Sequence, residues 1–387
     1  MSTSFTRDRL TLVLYATLVA FGFAIATLGP SVPLLRSDLG VSRTVAGLHF
    51  TAGALGSVFV GVAGRRLVVR IGRAAVLRSG LLGLVIGPLG LVLGQSARWT
   101  IAGTFAAGLA ANLVFLVVNG VLADHHGPRR STALAEANAI AGAVFMLPGL
   151  LVGAFAAVGI SWRIAFLVPV LVALVLLRPT SRLALPETPP PTDDTSGRFL
   201  AGFGAAVAAL TLSVAIEWSM AGWAAEHLVG VGAAPGMAAA GAAIFYGAVL
   251  AGRLAVVPLT RRYAEGPLLF ASLAVTAAGA LIFWLGSSPA LVLAGVVLGG
   301  VGVSYQFPLL ASVLFALAPG RTDAASARIS LVGGLAVMTA PVTLGAWADA
   351  RGLEEALSGV VFLVAALAVA LAFVLWAARR PPDRLPA

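Results

Sequence analysis

The chain has 387 residues, 59% of them hydrophobic and only 10% charged, with a formal net charge of +10 and no cysteine. An ordinary soluble domain carries about a quarter charged residues, so this composition cannot cover a water-facing surface and lipid must be its main solvent. The missing cysteines exclude disulfides and thiolate metal sites, and the four histidines make no metal spacing.

A helix that crosses a bilayer needs about 20 apolar residues, because a rise of ~1.5 Å each must span ~30 Å of hydrocarbon. Twelve such segments are predicted, near 10–30, 44–64, 74–94, 99–122, 131–157, 162–177, 199–225, 236–260, 267–286, 289–318, 325–347 and 356–377. No alternation over strand lengths of about ten residues recurs, which argues against an outer-membrane barrel. The first segment follows Arg7 and Arg9 and ends in Ala24-Ile25-Ala26, as a signal peptide would. Its length and the spans behind it predict an uncleaved helix instead.

Between the sixth and seventh segments, Arg178 to Arg198 holds Pro179, Pro186, Pro189, Pro190, Pro191, Asp193, Asp194 and Gly197. Such a stretch neither buries itself nor crosses lipid. It predicts a first six-helix half over 1–178, a linker over 179–198 and a second half over 199–387. The halves echo each other, with Gly142, Pro148 and Gly153 in the fifth helix against Gly334, Pro341 and Gly345 in the eleventh, and Gly64-Arg65 against Gly252-Arg253. Two related six-helix halves are the trace of a rocking transporter.

All 25 basic residues are arginine. Only Arg36, Arg43, Arg98, Arg163 and Arg351 fall on the odd-numbered loops; the others lie at the amino terminus, on the even loops, near cytoplasmic helix ends or in the tail. This bias predicts a multi-pass protein of the cytoplasmic membrane with both termini and the linker inside. It also explains the positive charge through topology and anionic lipid, without nucleic acid.

The stretch after the second helix, Gly64-Arg65-Arg66-Leu67-Val68-Val69-Arg70-Ile71-Gly72-Arg73, resembles the Gly-x-x-x-Asp-Arg-x-Gly-Arg loop of the major facilitator superfamily. The six-plus-six layout of the whole chain fits that family. The acidic position is Val69 here, and Val257 stands at the equivalent place in the second half, a departure that puts the charge latch inferred for that loop in question. Glu217-Trp218-Ser219-Met220-Ala221-Gly222-Trp223 is similar to a Glu…Trp pattern in a bacterial branch related to sugar porters. Asn119, Asp124 and Ala135-Glu136-Ala137-Asn138 resemble the same branch, or actinobacterial exporters of similar composition; a cyanate-type anion carrier is a further possible relative. The resemblance implies an all-α fold of twelve transmembrane helices.

Charges at bilayer depth cost at least ~2.5 kcal/mol, so they face a cavity or a partner. Glu136, Glu217 and Arg253 are the clear cases. In the resembled fold the first, fourth, seventh and tenth helices line the central cavity, where Asn112, Glu217, Tyr305 and Gln306 fall near mid-span with Trp218, Trp223 and Phe307 nearby. Glu217 is the expected proton carrier, since a carboxylate away from water can load and release a proton. Asn112, Trp218, Trp223, Tyr305, Gln306 and Phe307 are the expected substrate contacts, against a bland reading as helix packing. Glu136 and Arg253 are expected at similar depth, ~9 Å and ~13 Å in from Arg130 and Arg262. As a pair they would gate the inner side, with Glu136 as a second proton site.

These readings predict a secondary active transporter, not an enzyme, that moves a small organic solute by alternating access. Export driven by protons is preferred, because the pocket shows no central basic residue for an anion. Proton-coupled uptake of a sugar or small anion is the alternative, and a non-transporting sensor or scaffold is the alternative of another class. The expected partners are a small-molecule substrate, protons and membrane lipids around a monomer, with no cofactor and no nucleic acid. A Gly-x-x-x-x-Gly-Lys-Ser/Thr nucleotide loop is absent from the sequence.

Overall fold

The computed structural model describes residues 6–186, 199–259, 262–263, 265–319 and 321–378. The described residues form helices and no strand. Helices α1 (Arg9–Ala26) and α2 (Leu28–Leu39) make the first crossing, followed by α3 (Arg43–Ile71), α4 (Arg73–Leu93) and α5 (Ala97–His126). The fifth crossing is α6 (Arg130–Val144) with α7 (Leu147–Ala157), and the sixth is α8 (Leu167–Ser181), entered through a 3-10 turn at Trp162–Phe166. Then come α9 (Phe203–Gly230), α10 (Pro235–Leu259) and α11 (Glu265–Leu285), the split crossing α12 (Pro289–Val303) and α13 (Gln306–Ala316), and finally α14 (Thr322–Arg351) and α15 (Leu353–Ala378). Among the described residues twelve crossings are long and apolar enough to span a membrane.

Three crossings are broken where the sequence predicts continuous helices. Thr27 separates α1 from α2, which runs on to Leu39 and so takes Arg36 out of a loop. Phe145 and Met146 separate α6 from α7, where Pro148 enters the first turn because its missing N–H would be unsatisfied there anyway. Ser304 and Tyr305 separate α12 from α13. The stretch that resembles a family loop is also largely helical. Helix α3 continues through Gly64 to Ile71, and the chain turns at Gly72 alone, whose φ of 81° suits a residue without Cβ. Val69 is exposed there, the side chain of Val257 lies outside the described residues, and so does most of the linker, Pro189, Pro190 and Pro191 included.

Lipid tails are as apolar as leucine, so the bundle holds by close packing and buried polar contacts. Leu14, Leu18, Leu81, Val114 and Val118 join α1, α4 and α5, while Leu210, Ile216, Phe245, Phe283, Leu310 and Leu367 join α9 to its neighbours. Contacts between the helices before residue 186 and those after 199 run along α3–α14, α2–α9 and α6–α7–α10. At Gly47 a Cβ would lie 2.6 Å from the Val342 Cα, and at Gly149 one would lie 2.7 Å from the Ala243 nitrogen, so these seams bring backbones together.

The face that carries the amino terminus is fixed by a cap. Asp8 accepts from the Thr11 amide at 2.9 Å and from its hydroxyl at 2.7 Å, and its other oxygen meets His125 Nε2 at 2.7 Å. Partial burial pushes the Asp8 carboxyl up, but the hydrogen bonds from Thr11 and His125 outweigh it and hold it at about 2. A depressed carboxylate stabilises the fold above its ordinary value and loses that contribution only as pH falls from ~4 toward about 2. Asp8→Ala should lower stability by about 1 kcal/mol at neutral pH while Asp8→Asn keeps most of the cap. Thermal melts of the purified protein at pH 7 check both.

Candidate substrate cavity

Five helices converge on a cavity of about 190 Å³. Helices α1, α5 and α6 supply Phe21, Phe115, Asn138, Ala141 and Gly142, with Phe145 at the α6–α7 break; α9 supplies Glu217, and α10 supplies Tyr246, Val249, Leu250 and Arg253. The site therefore lies between the helices that precede the linker and those that follow it. Phe21 stacks on Phe115 at 4.7 Å, and Phe145 meets the edge of Tyr246 at 5.3 Å. These rings make the walls apolar.

The two charges of the cavity lie on adjacent helices. Arg253 donates from Nε to the Ser304 carbonyl at 3.1 Å, a group that gets no helical bond from Pro308, which has no N–H. Its Nη1 passes Gly142, where a Cβ would come within 3.5 Å, so the missing side chain leaves room for the guanidinium to cross the seam to α6. Among the described residues Glu217 accepts no hydrogen bond and has no basic nitrogen within 4.0 Å. A carboxylate and a guanidinium thus face one space without closing on each other.

The predicted pair of Glu136 with Arg253 does not form in this structure. Glu136 takes Arg7 through two bonds, 2.9 Å from Nε and 2.6 Å from Nη2, and also accepts from the Tyr15 hydroxyl at 3.3 Å. Arg253 reaches α6 six residues further on, at Gly142, which is ~9 Å along the helix. Depth counted from the nearest loop arginine misplaced the pair. Glu136 ties α6 to α1, and the basic residue thought absent from the centre is Arg253 itself.

The expected substrate contacts also sit elsewhere. Gln306 is 1% exposed and spent on packing: it accepts from Ser213 at 2.8 Å and donates to Thr276 at 2.9 Å, linking α13 to α9 and α11. Trp223 is fully buried, donates to the Pro341 carbonyl at 3.2 Å and packs against Gly345, which places it in the α9–α14 seam. Asn112 donates to Gly108 on its own helix at 2.8 Å. Neither Asn112, Tyr305 nor Phe307 is among the residues lining the cavity, and Trp218 lines a neighbouring space of about 10 Å³ that shares Tyr246. Of the predicted site residues, Glu217 and Arg253 are brought together. Phe21, Phe115, Phe145 and Tyr246 were not selected, because an aromatic ring in an apolar helix carries no mark of which way it faces, and Asn138 was quoted only within the family resemblance.

The face opposite the amino terminus is closed by charges that the sequence left unassigned. Glu226, 5% exposed near the end of α9, takes both Arg36 of α2 and Arg43 of α3, the latter at 3.1 Å. Asp349 near the end of α14 accepts the backbone amides of Arg43 and Thr44 at 2.9 and 2.7 Å, where the positive end of the α3 dipole favours an anion. Both contacts join helices from opposite sides of the linker. A family-specific spacing for Glu226 was not visible, since a charge near a helix end reads as solvated.

A model of the Major Facilitator Superfamily matches residues 14–202. A comparison with curated protein sequences finds no significant match. Among solved structures, a bacterial homolog to the human lysosomal transporter Spinster, inward-facing and unoccupied, superposes with a TM-score of 0.72 at 16% identity, over 96% of this chain and 97% of that one. A D-xylose-proton symporter gives 0.71 at 16% over 97% and 98%, and a mutant of the nucleoside transporter NupG gives 0.73 at 12% over 95% and 98%. The first six crossings thus carry the sequence match to the Major Facilitator Superfamily, and nearly the whole length shares the fold of these transporters.

Proposed function

We propose that this protein is a secondary active transporter that moves a small organic solute across the cytoplasmic membrane by alternating access, with Glu217 carrying the coupling proton. The observation that carries the reading is the unpartnered Glu217 carboxylate, which faces a cavity between the two sets of helices. A group with no protein partner is free to trade a proton for a solute. Outward movement follows if proton and solute compete for that carboxylate, because an inward proton gradient then expels the solute. Arg253 in the same cavity favours a second reading, proton-coupled uptake of a small anion. The decisive experiment is a solute screen on reconstituted vesicles with an imposed pH gradient. Movement of no solute with the gradient would overturn the coupling.

The proposal includes the topology, with the division at 179–198, the amino-terminal face cytoplasmic and the chain working as a monomer. Charged arginines on the even loops support it. Single cysteines introduced at Pro190 and Gly232 should label from the inside and the outside respectively, against no background in this cysteine-free chain. Labelling of position 190 from outside intact cells would overturn the arrangement.

A further inference from the structure

Two unlike charges that share an apolar cavity ordinarily close on each other, since each pays for leaving water and only a partner offsets the cost. Glu217 and Arg253 do not. Arg253 is held by Nε on the Ser304 carbonyl, and its two terminal nitrogens have no acceptor among the described residues. Glu217 likewise accepts nothing. Between and around them stand four rings, Phe21, Phe115, Phe145 and Tyr246. The rings suit an apolar or aromatic body, and their faces also attract a cation. At about 190 Å³ the space falls below the ~300–1,000 Å³ of drug-sized sites. The occupant is therefore small.

We propose that this cavity takes a small zwitterion with an apolar or aromatic body, its ammonium on the Glu217 carboxylate and its carboxylate on the terminal nitrogens of Arg253. The assignment rests on the transporter reading above and names its substrate class. One such ligand neutralises both protein charges at once. A ligand with only an anionic group leaves its own charge near the Glu217 carboxylate, and one with only a cationic group leaves Arg253 unpaired. The planar fork of a guanidinium matches a carboxylate in two parallel bonds, which fixes the orientation of the body among the rings. Protonated Glu217 no longer holds an ammonium, so proton and zwitterion alternate on that oxygen pair.

The test compares matched probes on the purified full-length protein in lipid nanodiscs by isothermal titration calorimetry at pH 7. One trio is L-phenylalanine, L-phenylalaninamide and 3-phenylpropionate; the other is L-leucine, L-leucinamide and 4-methylpentanoate. In at least one trio the zwitterion should bind ~10–100-fold tighter than either single-charge analogue. Arg253→Gln should erase the preference over the amide, and Glu217→Gln the preference over the acid. The wild-type comparison stands alone if either variant does not fold. Equal or tighter binding of the acids, or no binding of either zwitterion, overturns the assignment. If an acid is preferred and moves with a pH gradient, transport stands and the zwitterion falls. If a zwitterion is preferred and nothing moves with the gradient, the site stands and proton coupling falls.

Discussion

Glu217→Gln is expected to abolish proton-driven solute accumulation while the protein still folds and still exchanges solute down its own gradient. The amide keeps the shape of the carboxyl but cannot take up a proton. One pH unit is worth about 1.4 kcal/mol per proton, which sustains roughly a tenfold solute ratio for one-for-one exchange. In vesicles reconstituted with the variant that ratio should fall to about one. Among the described residues no second carboxylate lines the cavity to replace the group; the other polar lining residues are Asn138, Tyr246 and Arg253. An unchanged ratio would remove Glu217 from coupling. A variant that no longer folds would assign the side chain to packing between α9 and α10.

The fold was legible because lipid imposes a coarse rule. Each crossing needs about 20 apolar residues, and the runs between the arginines satisfy it twelve times. The breaks at Thr27, Phe145 and Ser304 were not read from the sequence, although Pro30, Pro148 and Pro308 each follow within four residues. Within the site, Glu217 and Arg253 stood out as charges at bilayer depth. Which charges would pair did not, because pairing depends on how far neighbouring helices slide past one another. Arg7, assigned to the solvated amino terminus, reaches Glu136, while Arg253 ends a turn and a half beyond it at Gly142. Gln306 shows the same limit. Its partners Ser213 and Thr276 are ordinary hydroxyl residues on other helices, and a polar residue at mid-span reads equally as a ligand contact and as a tie between helices.

Glu226→Gln should release the face opposite the amino terminus. The carboxylate is buried and holds Arg36 and Arg43 through one oxygen, with the other oxygen buried and unbonded. Removing its charge leaves two guanidiniums beside a neutral amide, a cost of about 3 kcal/mol for a desolvated cluster. Under the proposed alternating access that cost falls only on the closed arrangement, in which α2 and α3 meet α9. An imbalance of that size shifts the population roughly a hundredfold. Arg36→Gln or Arg43→Gln alone should shift it less, since one cation still answers the carboxylate, and the double variant should approach Glu226→Gln with an uncompensated anion in place of two cations. Asp349→Asn should add to the effect, because the α3 amino terminus then loses its anion. Double electron-electron resonance between spin labels at Leu39 and Gly232 would read the opening as a longer distance. Identical distance distributions for wild type and Glu226→Gln would mean that the backbone approaches at Gly47 and Gly149 hold this face shut on their own.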